Sequence, residues 1–162
     1  MKKVIFILIL VLSIASIAVI NFFGLVINVE EKRYISKIEL ENLQIMDGDE
    51  VITVEDPDPM WSAQLKGDTY IFDFIEPEDG AKSYDRELID ENPNAVYLNI
   101  NILPDNADNK SLKISVAAGN ESTVVIREDI TTVYFLKKGL VTITVEAMDG
   151  SPAKLVFMLY AR

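Results

Sequence analysis

The sequence predicts an all-β, antiparallel β-sandwich preceded by one N-terminal transmembrane helix. Residues 4–29 form an uncharged, apolar run of 26 positions. After it, apolar residues recur at every second position in several short segments, the period of half-buried strands. Clusters of Gly, Pro, Asn and Asp separate those segments at intervals of about 8–12 residues, the rhythm of a sandwich.

At about 1.5 Å per residue a helix over 4–29 reaches about 39 Å, more than the ~30 Å bilayer core. Two readings compete for it. A cleaved secretory signal would use Lys2 and Lys3, the apolar core Val4–Leu12, and the small-residue spacing of Ser13/Ala15 or Ser16/Ala18. An uncleaved signal anchor accounts better for the apolar character continuing through Val19, Ile20, Phe22, Phe23, Leu25, Val26 and Ile27. A cut at Ala18 would leave that tail on a soluble domain. With no cysteine in the chain, a lipid-modified Cys is excluded. Basic residues flank both ends (Lys2 and Lys3; Lys32, Arg33 and Lys37) and do not set orientation by count. The export-type leader and the tolerance of translocation for long domains point to a single-pass cell-membrane protein, N-terminus cytoplasmic and C-terminal domain extracellular.

The expected organisation is a signal anchor or transmembrane helix at 1–29, a short charged neck at 30–36, and a sandwich at 37–162. Ile38, Leu40, Leu43 and Ile45 suggest an alternating or bulged edge strand. Asp47-Gly48-Asp49 is a turn signal before Val51–Val54. Asp56-Pro57-Asp58-Pro59 interrupts regular structure. Trp61–Leu65 and Thr69–Ile75 suggest a hairpin about Lys66-Gly67-Asp68. Residues 76–93 are acidic and turn-rich, with room for one helical turn near Arg86–Ile89.

The second half alternates more cleanly. Val96, Leu98, Ile100 and Ile102 make one strand; Leu112, Ile114 and Val116 the next. Val124–Ile126 and Val133–Phe135 follow. Val141, Ile143, Val145 and Ala147 lead to Asp149-Gly150, and Leu155, Phe157 and Leu159 return. Asp-Gly between alternating strands predicts a two-residue type I′ turn.

Residues 96–160 resemble the bacterial immunoglobulin-like domains of group 2, common in surface adhesins such as intimin and invasin relatives. Leu103-Pro104-Asp105-Asn106-Ala107-Asp108-Asn109-Lys110 is similar to that family's P-x-N-A-T-N-K corner, with Asp108 at the Thr. Lys138-Gly139-Leu140-Val141-Thr142-Ile143-Thr144-Val145 resembles its K-x-G-x-x-x-I-T-V strand. Ile114 stands where the family often has Trp, and a usual turn Gly is replaced around Glu128-Asp129. The resemblance implies an immunoglobulin-like sandwich and an extracellular address, and it brings no catalytic or ligand residue. Residues 38–54 could supply a first strand; 55–95 have no counterpart and read as an insertion or part of an extended sandwich, the place for a private function.

Composition narrows the function. All 26 acidic residues follow Val29, with 13 basic ones, so this part carries a net charge of −13. Nucleic acid, which needs basic patches, is excluded as a partner. Without His or Cys, Ser–His, Cys–His and HExxH chemistries are absent. Acidic groups occur at Asp47/Asp49/Glu50, Glu55/Asp56/Asp58, Glu76/Glu78/Asp79 and Asp105/Asp108, but none has the D-x-[DN]-x-[DN]-G calcium loop. The sequence therefore assigns no catalytic, cofactor or metal residue. Asn109-Lys110-Ser111 and Asn120-Glu121-Ser122 match a glycosylation pattern and read as chance in a bacterial export context.

Trp61, the single Trp, lies near Met60, Tyr70, Phe72 and Phe74, either as core or as a surface platform for sugar or peptide. Trp61, Tyr70 and Tyr84 are the candidate interaction residues. The expected function is a non-enzymatic, membrane-anchored surface module. Its partners are the membrane, through the N-terminal helix, and a protein or envelope polysaccharide. The alternatives are a subunit of an envelope assembly or secretion machine, and a carboxylate-based hydrolase of the glycosidase kind.

Overall fold

A computed structural model describes residues 31–47, 50–78, 80–89 and 92–162. The apolar run 4–29 lies outside the described residues, and with it the anchor, its orientation and its cleavage. Among the described residues no helix is long and apolar enough to cross a membrane.

Nine strands and one α-helix are described: β1 (Lys37–Asp47), β2 (Glu50–Val54), α1 (Pro59–Leu65), β3 (Thr69–Phe72), β4 (Ala95–Leu103), β5 (Leu112–Val116), β6 (Val124–Arg127), β7 (Thr132–Phe135), β8 (Gly139–Ala147) and β9 (Lys154–Ala161). They form two sheets, β2-β1-β4-β7-β6 and β3-β9-β8-β5. Alternation predicts this packing. Leu43, Val96, Val133 and Phe135 from the first sheet and Val141, Ile143, Val145, Phe157 and Leu159 from the second are at most 2% exposed. Edge-to-face ring pairs join the layer, Phe72–Phe135 at 4.9 Å and Tyr70–Phe157 at 6.0 Å. The chain crosses from the first sheet to the second through the Leu103–Lys110 corner, where Leu103–Pro104 is cis and Ala107 N–H donates to Pro104 O.

Several sequence expectations need correction. β1 carries the expected bulge, at Leu40/Asn42, but it is an inner strand paired to both β2 and β4, and β2 is the edge. The Trp61–Leu65 arm of the expected hairpin is helix α1. Asp58 Oδ1 accepts from Met60 N–H and Trp61 N–H, Pro59 occupies the first turn, and Lys66 closes the end at φ 58°, so caps override the strand-like pattern. The other arm, β3, pairs with β9, and it does so in parallel, the one departure from antiparallel pairing among the described strands. Of the two readings of residues 55–95, an insertion or part of an extended sandwich, β3 as an edge strand of the second sheet agrees with the second.

The type I′ expectation also fails. Glu146 pairs with Lys154, Ala147 N–H donates to Ala153 O, and only Gly150 of the Asp-Gly pair has positive φ, +92°. The turn is longer because the Asp149 carboxylate points inward. It accepts from Ser151 N–H at 2.9 Å and from Ile35 N–H across the domain. The neck is accordingly part of the fold from Arg33 onward. Ile35 is 1% exposed, Ser36 N–H donates to Leu103 O, and Arg33 and Asp108 exchange two hydrogen bonds.

Candidate interaction site

Residues 73–94 join β3 to β4, and their described residues hold no long regular element. Connections of this length inside a domain are uncommon and are usually functional or disordered. This one is fastened at several points. Phe74 N–H donates to Arg162 O, and Arg162 N–H to Phe72 O, continuing the β3–β9 ladder. Asn94, 1% exposed, accepts from Ile75 N–H at 2.8 Å and donates to Ile75 O at 3.0 Å, so one amide side chain substitutes for a strand partner. Asn92 accepts from Asn94 N–H and donates to Phe135 O, both at 2.9 Å. Tyr84 N–H donates to Leu136 O at 2.7 Å, and Arg86 Nη2 donates to the carbonyls of Glu121 and Val124.

Apolar contacts complete the fastening. Ile89 packs with Ala95 and Tyr134 on the outer face of the first sheet, against Val125. This explains why Tyr134 of β7 is buried although its neighbours Val133 and Phe135 are the ones that face the core. The Tyr84 ring lies 6.0 Å from Phe74 at a steep angle.

The held loop encloses an open cleft of about 600 Å³, within the usual range of ligand sites. Ile75, Pro77, Ala81, Tyr84, Leu88 and Pro93 give it an apolar lining, and Glu76, Glu78, Ser83 and Asp85 a polar rim. Leu88 is 56% exposed. Lys138 pairs with Glu76 at 2.7 Å; that hydrogen bond and the lysine's charge hold the Glu76 carboxyl below its usual range. Asp85 Oδ1 accepts from Glu87 N–H and fixes the turn that carries Leu88.

The three aromatic candidates do not share one surface. Tyr84 lines the cleft. Tyr70 is buried in the core, where burial and then the charges of Asp68 and Asp56 push its phenol upward, so it is not available to a partner. Trp61 is half-buried on α1, its ring 5.0 Å from Tyr160 of β9. The sequence reading missed Leu88, Ile75 and the two asparagines that brace the cleft. Their signal was the Asn-Pro-Asn triplet just before a strand and isolated apolar residues in an acidic stretch.

Several acidic residues have structural roles. Asp58 caps α1, Asp108 holds Arg33, and Asp149 holds Ile35. Among the described residues no three Asp or Glu gather as a metal site. Asp73 is lowered by its hydrogen bond and charge pairing with Arg162. At Asp149 burial pushes the pKa up, but the Ile35 and Ser151 donors outweigh it and the net shift is downward.

No family model, no curated protein and no solved structure matches the chain.

Proposed function

We propose that this chain is a membrane-anchored extracellular immunoglobulin-like domain that engages a surface partner through the cleft of residues 73–94. The braced cleft is the observation that carries the interaction reading. Ligand sites gain from preorganisation because binding then orders little, and a connection otherwise free to be a plain loop is held here by two buried amides.

Strand order supports the immunoglobulin-like reading. With β1, β4, β7 and β6 taken as A, B, E and D, and β5, β8 and β9 as C, F and G, the sheets have the ABED and CFG arrangement. Gly139, at φ +154°, stands at the start of β8 as the group 2 resemblance requires. The extracellular address rests on the apolar run 4–29 and the export-type leader. A glycosidase acid needs a raised pKa, and Glu76, the cleft carboxylate paired with Lys138, is lowered and does not suit that role. The envelope-assembly reading has one observation in its favour, the edge strand β2 with Val51 57% and Ile52 44% exposed.

The chain has no cysteine, so single thiols report cleanly. Met148, 56% exposed at the far turn, and Leu88 in the cleft are suitable positions. On intact cells an impermeant maleimide should label Met148→Cys. Leu88→Cys should be shielded on cells and react in the purified full chain. Labelling of Met148→Cys only after lysis overturns the address, and equal labelling of Leu88→Cys in both settings overturns the occupied cleft.

A further inference from the structure

We infer that the cleft takes a basic peptide segment of a partner protein, one that sets an apolar side chain beside an arginine or lysine. This inference rests on the interaction reading above and adds the chemistry of the occupant. The lining combines an apolar floor, Ile75, Pro77 and Leu88, with the Tyr84 ring and the carboxylates of Glu78 and Asp85. Among the described residues no lysine or arginine lines it; Lys82, Lys137 and Lys138 line an adjoining pocket that shares Glu76, Pro77 and Ala81, and Lys138 holds Glu76. An arginine or lysine suits such a surface because its stem is apolar and its head cationic. The stem lies along Leu88 and Pro77, and the head reaches the rim carboxylates and the face of Tyr84.

Other occupants fit less well. An anion would meet the carboxylates of Glu78 and Asp85; the lysines nearby line the adjoining pocket, where Lys138 is already paired with Glu76. A bare metal ion wants about six to eight oxygens or a tight ligand set, and the described carboxylates do not gather into one. A neutral sugar would find only the hydroxyls of Ser83 and Tyr84 among uncharged side-chain groups of the lining. The net charge of −13 after Val29 also favours encounter with a basic partner.

The test uses the full chain in detergent and fluorescence anisotropy of three labelled octapeptides: alternating leucine–arginine, alternating glycine–arginine and alternating leucine–glutamate. Two exposed cleft positions are varied, Glu78→Lys and Leu88→Asn, with Val156→Asp, at an exposed position of β9, as the control. The leucine–arginine peptide should bind. The glycine–arginine peptide and both cleft variants should each bind about tenfold more weakly, the leucine–glutamate peptide should not bind, and Val156→Asp should change nothing. Absence of binding at millimolar peptide overturns the proposal. So does equal binding of leucine–arginine and leucine–glutamate peptides, or equal weakening by all three variants. If the peptides fail while Leu88→Cys stays shielded on cells, the occupied cleft stands and its cationic chemistry falls; loss of both removes the interaction reading itself.

Discussion

Asp149 shows how much one side chain can do without being legible. Its sequence context announces a turn, and a turn forms there. Its main partner, the Ile35 amide, is 114 residues away, and no local pattern encodes that distance. The same is true of Asn94 and Ile75, whose pairing is specified by packing and not by spacing. The sign of the pH dependence follows directly. Asp149, Asp73 and Glu76 have folded-state pKa values below their ordinary ones, so the unfolded chain takes up protons first as pH falls. Their stabilisation is complete above about pH 4 and is lost as pH drops further through the lowered folded values. Thermal melts over an acidic series should show a falling Tm below about pH 4, with a shallower fall in Asp149→Asn, whose Tm at neutral pH should already be lower. Asn94→Ala leaves Ile75 N–H and O without their side-chain partner and should cost about 1–3 kcal/mol by denaturant titration.

At the scale of elements, the long alternating strands were legible because a period of two is a local property. Short segments were not. Residues 61–65 alternate too briefly to decide between strand and helix, and the Asp58-Pro59 start signal decided it. Asp58→Ala should cost about 1 kcal/mol, read as a lower denaturation midpoint with an unchanged slope. β3 could not be placed from sequence either, since parallel pairing with the last strand carries no hairpin signal. The turn before β7 offers a stabilising change. Thr131 sits at φ 51°, ψ 44°, where a β-branched side chain is strained, near the place where the group 2 resemblance lacks its glycine. Thr131→Gly should relieve that strain and stabilise by about 1 kcal/mol, observed as a higher Tm.

At the scale of the molecule, one apolar layer holds two sheets, and the 73–94 connection covers the outside of one of them. The layer was readable because its residues alternate in sequence. The cover was not, because Ile89 and Tyr134 are far apart in sequence and their contact carries no local signal. Removing Phe135, fully buried and ring-paired across the layer with Phe72, should cost about 3–5 kcal/mol. That is a large share of a domain's usual ~5–15 kcal/mol, so Phe135→Ala should be largely unfolded at 37 °C. A connection with little regular structure is held as firmly as the strands and so presents a preformed cleft. Amide hydrogen exchange of the full chain in detergent tests this most directly. The amides of Ile75, Tyr84 and Asn94 should exchange with the slow class of β4 and β7 amides. If they exchange as fast as free peptide while those strands stay protected, the cleft is not preformed and the claim is contradicted.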